Sequence, residues 1–247
     1  MQTDEPAPNV QVFDDPEQVA REAAGLFVRL SIEAISTRGS FSVALSGGST
    51  PRRIYELLAS DDYRTQVSWP GVHVFFGDER TVPPDHADSN YRMANETMLS
   101  LVPVPAKNVH RMNGVGDAAA SASEYESELR AFFGDLAWPR LDLVMLGMGD
   151  DGHTASLFPG SAALEEQQAW VVANWVEKFQ TWRITLTAPA INAARRVLFL
   201  VTGAGKADRL REVLKGERDP ARLPSQLIQP RDGTLEWLVD RAAAAKL

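Results

Sequence analysis

A glycine-rich turn just past the middle of the chain carries the side chains best suited to acid–base chemistry. Residues 147–153 read Gly-Met-Gly-Asp-Asp-Gly-His and directly follow the apolar run Leu141–Leu146. A buried strand that ends in such a turn is typical of α/β enzyme sites, because glycine lets the backbone approach a ligand closely. His153 is a candidate general base near neutral pH, and Asp150 is the carboxylate that we expect to orient its ring.

The same turn also matches the dinucleotide-binding spacing Gly-x-Gly-x-x-Gly, at Gly147, Gly149 and Gly152. Two observations argue against that alternative: the aspartates inside the turn would repel a pyrophosphate, and Pro159 leaves little room for the helix that should follow. Neither His-x-x-x-His nor Gly-x-Ser-x-Gly occurs in the sequence, so a metal site and a serine nucleophile lack support. The hypothesis that remains is attack on a substrate by a water that His153 activates.

The segment Ser46–Pro51 lies between an apolar strand and a helix that Pro51 begins. Free backbone N–H groups at a helix N-terminus, together with hydroxyl side chains, can form a binding site for an anion. A tight turn in which Ser49 caps the helix would use the same residue types, so both interpretations stay open at this point. In the anion interpretation, the contacts come from Ser46, Gly47, Gly48, Ser49 and Thr50.

Two further strand exits offer cationic side chains to the same anion. Arg80 can bind a phosphate through two parallel hydrogen bonds, and Asp78 is a candidate polar contact beside it. Lys206 stands at a helix start, where a cation opposes the helix dipole, and this local conflict suggests an anion nearby. A surface ion-pair cluster and a solvated lysine are the competing interpretations. Two residues at the start of the next helix, Asn90 and Arg92, are further candidates for this site. In the competing interpretation, Asn90 only neighbours the helix cap and the Arg92 side chain is solvated.

Composition limits the classes of partner. The chain has 33 acidic and 25 basic residues, a formal net charge of −8, and no basic run, so we expect no nucleic-acid partner. It has no cysteine, which excludes disulfides and thiolate chemistry. The first ten residues lack the features of a secretion signal, and no apolar run approaches the ~18 residues of a membrane span. We therefore expect a cytoplasmic protein without a membrane partner, in which His73, His86 and His110 are structural or solvated.

Apolar strands and amphipathic helices alternate along the chain. The predicted strands are Val10–Phe13, Phe41–Leu45, Gly71–Phe76, Leu141–Leu146, Trp170–Trp175, Arg183–Thr187, Arg196–Thr202 and Leu235–Val239. This alternation predicts an α/β fold with a mainly parallel sheet and helices on both faces, in a single domain over residues 1–247 that leaves room for a minor lobe. Because ligands in such folds bind beyond the carboxyl ends of the strands, the strand exits that carry the candidate residues should meet in one site.

Five segments resemble the 6-phosphogluconolactonase family, whose superfamily includes glucosamine-6-phosphate deaminase/isomerase. They are ALSGGSTP (44–51), FFGDERTVPPDHADSNYRM (75–93), LDLVMLGMGDDGHTASLFPGS (141–161), RITLTAPAINAAR (183–195) and VTGAGKA (201–207). The resemblance extends from about Val10 to Ala244. Where the deaminase typically continues towards Asn-Glu-Pro-Gly, this chain has Phe158-Pro159-Gly160, and Arg80 replaces the deaminase tyrosine. Both differences favour the lactonase.

The resemblance implies a modified Rossmann-type three-layer sandwich without cofactor or metal. The implied reaction is hydrolysis of 6-phosphoglucono-δ-lactone to 6-phosphogluconate in the oxidative pentose phosphate pathway, with His153 as base or acid and Asp150 orienting it. The implied phosphate contacts are Ser46–Thr50, Arg80 and Lys206, and Gly149 and Arg183 are further candidates. The amino-sugar phosphate deaminase and a non-catalytic sugar-phosphate sensor remain as alternatives. We expect a monomer or a weak homo-oligomer.

Overall fold

The computed structural model describes residues 9–247, which form two sheets. The strands are β1 (Asn9–Phe13), β2 (Phe41–Leu45), β3 (Val72–Phe76), β4 (Asp78–Arg80), β5 (Leu143–Gly147), β6 (Val171–Val176), β7 (Thr181–Leu186), β8 (Arg196–Val201) and β9 (Thr234–Asp240). The helices are α1 (Pro16–Arg38), α2 (Ser49–Ala59), α3 (Asp61–Arg64), α4 (Asn90–Ala94), α5 (Ala118–Phe133), α6 (Ala188–Asn192) and α7 (Ala207–Lys215). The predicted α/β fold is confirmed.

The larger sheet has six parallel strands in the order β1-β9-β8-β5-β2-β3. Every residue of β2 is buried, and β5 and β8 are buried along almost their whole length. Their continuous apolar sequences fit this position, because a central parallel strand is covered on both faces. The parallel pairing also places the carboxyl ends of β8, β5, β2 and β3 along one edge of the sheet.

The smaller sheet is antiparallel, with the order β4-β7-β6. Its strand β4 occupies Asp78–Arg80, a segment that the sequence analysis treated only as the exit of the preceding strand. β6 and β7 form a hairpin that is half-exposed, and Trp175 pairs with Trp182 across it. These two predicted strands therefore exist, but they lie outside the main parallel sheet. The small sheet lies against the carboxyl edge of the main sheet, where the backbone N–H of Leu186 donates a hydrogen bond to the carbonyl of Gly77.

Helix α1 begins and ends at residues that favour a helix boundary. The Asp15 side chain accepts a hydrogen bond from the backbone N–H of Gln18, and Pro16 occupies the first helical position. Gly39 ends the helix in the left-handed conformation, with φ of 82°, which glycine adopts without the steric penalty of a side chain. The helix buries Val19, Ala23 and Phe27 in the core.

Candidate active site

A cavity of about 370 Å³ opens where the carboxyl ends of β2, β5 and β8 meet the small sheet. Four chain segments that are far apart in sequence contribute to its wall, as the topology of a parallel sheet predicts. Twelve of the predicted site residues line it: Ser46, Gly47, Gly48, Ser49, Thr50, Asp78, Arg80, Asn90, Gly149, His153, Arg183 and Lys206. Asp150 and Arg92 do not. The structure thus brings these twelve residues together, and their roles remain predictions.

The carboxylate beside His153 is Asp151 and not Asp150. Nδ1 of His153 lies 2.5 Å from Oδ1 of Asp151, which also accepts a hydrogen bond from the His153 backbone N–H at 3.2 Å. Asp150 instead pairs with Lys206, and its side chain is 79% exposed against 25% for Asp151. The prediction that Asp150 orients the imidazole is wrong in this structure.

The backbone of the turn places both aspartates close to His153. The N–H of Gly152 donates to the carbonyl of Gly149 at 3.0 Å, and the N–H of Gly149 donates to the carbonyl of His153 at 2.9 Å. The two aspartates occupy the corner between these bonds. Asp151, which is closer in sequence to His153, folds back onto the imidazole, whereas Asp150 points outwards to Lys206.

The His153 ring is fixed from several sides. A Cβ atom on Gly149 would lie 2.0 Å from its Nδ1, so only glycine fits beneath the ring. Phe158 stacks on the imidazole, with ring centroids 4.0 Å apart. Since Asp151 occupies Nδ1, a neutral imidazole keeps its proton there, and its lone pair is on Nε2. The geometry suits a general base.

Electrostatics keep the Asp151 carboxylate charged. Burial raises its pKa, but the hydrogen bond from His153 and the ion pair with Lys178, at 2.9 Å, outweigh burial and hold the pKa of Asp151 well below its usual range. On the outer side of the turn, the Lys206 ammonium lowers the pKa of Asp150. Both aspartates are therefore ionised at neutral pH, each with its own lysine.

The opposite side of the cavity carries two arginines. Arg80 on β4 and Arg183 on β7 are directly paired across the antiparallel ladder, and both line the cavity. Burial, and then the neighbouring Arg80, lower the pKa of Arg183. Within residues 9–247 neither guanidinium forms an ion pair with a carboxylate, and Arg80 donates to the backbone carbonyl of Asp88. Two adjacent cations without a carboxylate partner form a strong site for an anion.

The Ser46–Thr50 loop closes the cavity next to these cations. Helix α2 begins at Ser49 after Gly48, whose φ of 112° requires glycine, and no side chain within residues 9–247 caps this helix. The alternative in which Ser49 is the N-cap is therefore wrong, and the N–H groups of the first turn have no side-chain acceptor. The Oγ of Ser46 is also buried without a hydrogen-bond partner among the residues described.

Asp78 and Asn90 form the wall between the loop and the arginines. Oδ2 of Asp78 accepts a hydrogen bond from Ser156 at 2.7 Å, and Nδ2 of Asn90 donates to the Asp78 carbonyl at 2.9 Å. A Cβ atom on Gly47 would lie 2.0 Å from Oδ1 of Asn90, so the loop and the amide are in close contact. Glu79 points away into the protein, where it accepts hydrogen bonds from the start of α4.

Arg92 lies outside the site. Its guanidinium donates to Glu96 at 2.7 Å and to the backbone carbonyl of Asp85 at 3.0 Å. The solvated alternative that the sequence left open is thus the one that the structure supports. Ser156, Phe158 and Phe179 line the cavity although sequence reasoning did not single them out. Asp151 and Lys178, which contact each other beside His153, were not predicted as site residues either.

Within residues 9–247 no group of three or more histidine, aspartate or glutamate side chains is arranged to hold a metal ion. The same part of the chain has no helix whose length and apolar character would let it cross a membrane.

Comparisons with known proteins agree over nearly the whole chain. A family model described as "Glucosamine-6-phosphate isomerases/6-phosphogluconolactonase" matches residues 14–237. A 6-phosphogluconolactonase from Nostoc is 42% identical over 241 residues, which cover 96% of this chain and 98% of that protein. One from Synechocystis is 42% identical over 244 residues, 98% of this chain and 99% of that protein. The structure of 6-phosphogluconolactonase from Trypanosoma cruzi has 30% identity and a TM-score of 0.88, covering 99% of both chains.

Proposed function

The chain belongs to the glucosamine-6-phosphate isomerase/6-phosphogluconolactonase family, and on that premise we propose that it hydrolyses 6-phospho-D-glucono-1,5-lactone to 6-phospho-D-gluconate. One observation carries the proposal: a single cavity is lined by His153, whose imidazole is paired with Asp151, and by two arginines that have no carboxylate partner among residues 9–247. The lactone has the two matching parts, an electrophilic carbonyl carbon and a phosphate dianion.

In the proposed reaction His153 acts first as a base and then as an acid. Nε2 accepts a proton from a water whose oxygen attacks C1 of the lactone, and the Asp151 carboxylate stabilises the imidazolium that forms. The bond between C1 and the ring oxygen then breaks, and the imidazolium returns the proton to that oxygen. The product is the open-chain hydroxy acid, which ionises in water.

The phosphate is bound by the cationic side of the cavity. Arg80 and Arg183 supply planar donors that match phosphate oxygens, and the free N–H groups at the start of α2 add backbone donors. Lys206 also lines the cavity and shares its charge with Asp150. This local concentration of positive charge explains how a protein of net charge −8 can bind a dianion.

The physiological setting follows from the substrate. We place the reaction in the oxidative pentose phosphate pathway and in the cytoplasm, with no nucleic-acid or membrane partner. The net charge of −8 supports the first of these exclusions, because it disfavours a phosphate backbone.

One assay separates this function from its alternatives. Freshly prepared lactone should be hydrolysed faster than its spontaneous rate, measured as proton release at constant pH, and glucosamine 6-phosphate should release no ammonia. The Arg92→Met variant serves as a control and should hydrolyse the lactone like the wild type, because that arginine lies outside the cavity. Wild-type protein at the spontaneous rate would exclude the lactonase. Ammonia release would indicate the deaminase, and sugar-phosphate binding without either reaction would indicate a sensor.

A further inference from the structure

Asp151 has two oxygen atoms with two different partners. Oδ1 lies 2.5 Å from Nδ1 of His153, and Oδ2 lies 2.9 Å from Nζ of Lys178. The lysine comes from a segment 27 residues away in sequence, between β6 and β7. Its side chain is 56% exposed, whereas that of Asp151 is 25% exposed. Lys178 therefore approaches the catalytic pair from the solvent side and does not line the cavity.

The tip of the β6–β7 hairpin connects both sides of the site. The neighbouring residue Phe179 packs edge-on against Phe158, with ring centroids 5.8 Å apart, and Phe158 in turn stacks on His153. On its other side the Phe179 ring lies 5.8 Å from the guanidinium carbon of Arg183. Lys178 is thus held by a turn that packs against Phe158, which stacks on His153, and against Arg183.

We propose that Lys178 is a positioning residue for His153: it binds Oδ2 of Asp151 and so holds Oδ1 in line with the imidazole. An aspartate with one free oxygen can rotate about its side-chain bonds, whereas one bound at both oxygens presents a fixed acceptor. The role in catalysis rests on the proposed function, whereas the contact with Asp151 does not.

Other charged groups around Asp151 do not replace Lys178. Asp150, on the same turn, adds a like charge, and Lys206 is paired with Asp150. Arg209 donates to the backbone carbonyl of Asp150 and to Glu212. In the part of the chain that the structure describes, Lys178 is therefore the cation that neutralises Asp151 directly.

A double-mutant cycle tests the proposal. We expect Lys178→Met to lower kcat about two- to fivefold with little change in KM, the range expected for a partly exposed ion pair. In an Asp151→Asn background the same substitution should have no further effect, because Lys178 acts only through that carboxylate. Lys178→Arg should retain most of the activity, and Lys215→Met, at the far end of α7, is the matched control. An equal loss in both backgrounds, or no loss at Lys178→Met, would overturn the proposal.

A second measurement needs no turnover. The ring nitrogen signals of His153 can be followed by NMR against pH and assigned by their loss in His153→Asn. Removing Lys178 leaves the Asp151 charge unbalanced, which favours the protonated ring, so the titration of His153 in Lys178→Met should move to higher pH. An unchanged titration contradicts the proposal. If the titration moves but the wild-type protein does not hydrolyse the lactone, the proposed function fails while the link between Lys178 and His153 stands.

Discussion

Two imidazole–carboxylate pairs of the same chemical type lie in different parts of this protein. In the cavity, Nδ1 of His153 contacts Asp151, and Nε2 remains for a ligand. Beside edge strand β3, Nδ1 of His110 lies 2.7 Å from Glu128, but its Nε2 lies 3.1 Å from Nδ1 of His73.

The difference between the pairs lies in the second ring nitrogen. Phe75 stacks on the His110 ring at 4.3 Å, so this imidazole is a packed part of the core with both nitrogens occupied. His153 is also stacked on an aromatic ring, but it lines a cavity. A carboxylate next to a histidine is therefore no evidence of catalysis by itself. The feature that supports a catalytic role is a second ring nitrogen left free in a residue that lines a cavity with cationic side chains.

The largest expected effect separates the two histidines. His153→Asn should lower kcat/KM for lactone hydrolysis by about 10²–10⁴-fold, because a positioned general base is lost. His110→Asn should leave kcat/KM nearly unchanged but lower the free energy of unfolding by about 1–3 kcal/mol, since the hydrogen bonds of this buried ring are lost. Steady-state kinetics and urea unfolding of both variants test this contrast. Loss of activity in His110→Asn, and not in His153→Asn, would contradict this contrast.

The second prediction compares the two aspartates of the turn. Asp151→Asn should lower kcat by roughly 10- to 100-fold, the range seen when a carboxylate that orients a histidine is removed from a metal site. Asp150→Asn should change kcat much less, because its side chain faces Lys206 and solvent. The assay is the same lactone hydrolysis at saturating substrate. A larger loss at Asp150 would restore the original assignment of that residue.

A third prediction concerns the anion site that distinguishes the cavity from the His110 cluster. Arg183→Met should raise KM for the lactone about tenfold with a smaller effect on kcat, because a charge-assisted contact to phosphate is lost. Arg92→Met removes the same group outside the cavity and should leave KM unchanged. Inhibition by inorganic phosphate, measured on both variants, gives an independent reading. A KM that stays constant in Arg183→Met would remove this residue from the site.

The smallest expected effect is a pH dependence of stability at the His110 cluster. Burial, and then the neighbouring His110 and Lys107, lower the pKa of His73. The unfolded chain therefore binds a proton at His73 at a higher pH than the folded protein, so this residue's contribution to stability is lost as pH falls below about 6.5. Glu128, on the far side of His110, is the remaining charged group of the cluster.

The measurement for this effect is the urea midpoint at about pH 7.5 and about pH 5.5 in the wild type and in His73→Gln. The drop between the two pH values should be smaller in the variant, because one titrating group is gone. An equal drop in both proteins would show that His73 does not contribute. Lactonase activity of the variant at the higher pH should match that of the wild type, since the cluster lies outside the cavity.

Much of the fold and of the site was accessible from the sequence because parallel strands impose a strong geometric rule. Apolar runs such as Leu141–Leu146 and Arg196–Thr202 identify strands buried on both faces, and their carboxyl ends must share an edge. That rule brought Arg80, His153 and Lys206 together before any coordinates were known. It did not identify Asp78–Arg80 as a strand of a second sheet, because three residues carry too little periodicity.

Side-chain direction within short segments was the part that could not be predicted. In the corner of the Gly149–His153 turn either aspartate could have faced the imidazole from sequence spacing alone. The choice depends on where Lys206 and Lys178 arrive, and both come from segments that are distant in sequence. Similarly, Arg92 turns towards Glu96, one helical turn later, and away from the cavity.

The sequence by itself determined the α/β class, the strand exits that form the cavity and the identity of His153 as the candidate base. These features depend on local composition and on pairing rules that act on every parallel sheet. Only the tertiary structure decided which aspartate contacts that base, that Arg80 and Arg183 are neighbours, and that a hairpin lysine binds Asp151. The second and third of these join separate elements, and the first depends on the lysines that reach the turn from distant segments, so all three depend on how the packed elements sit against one another.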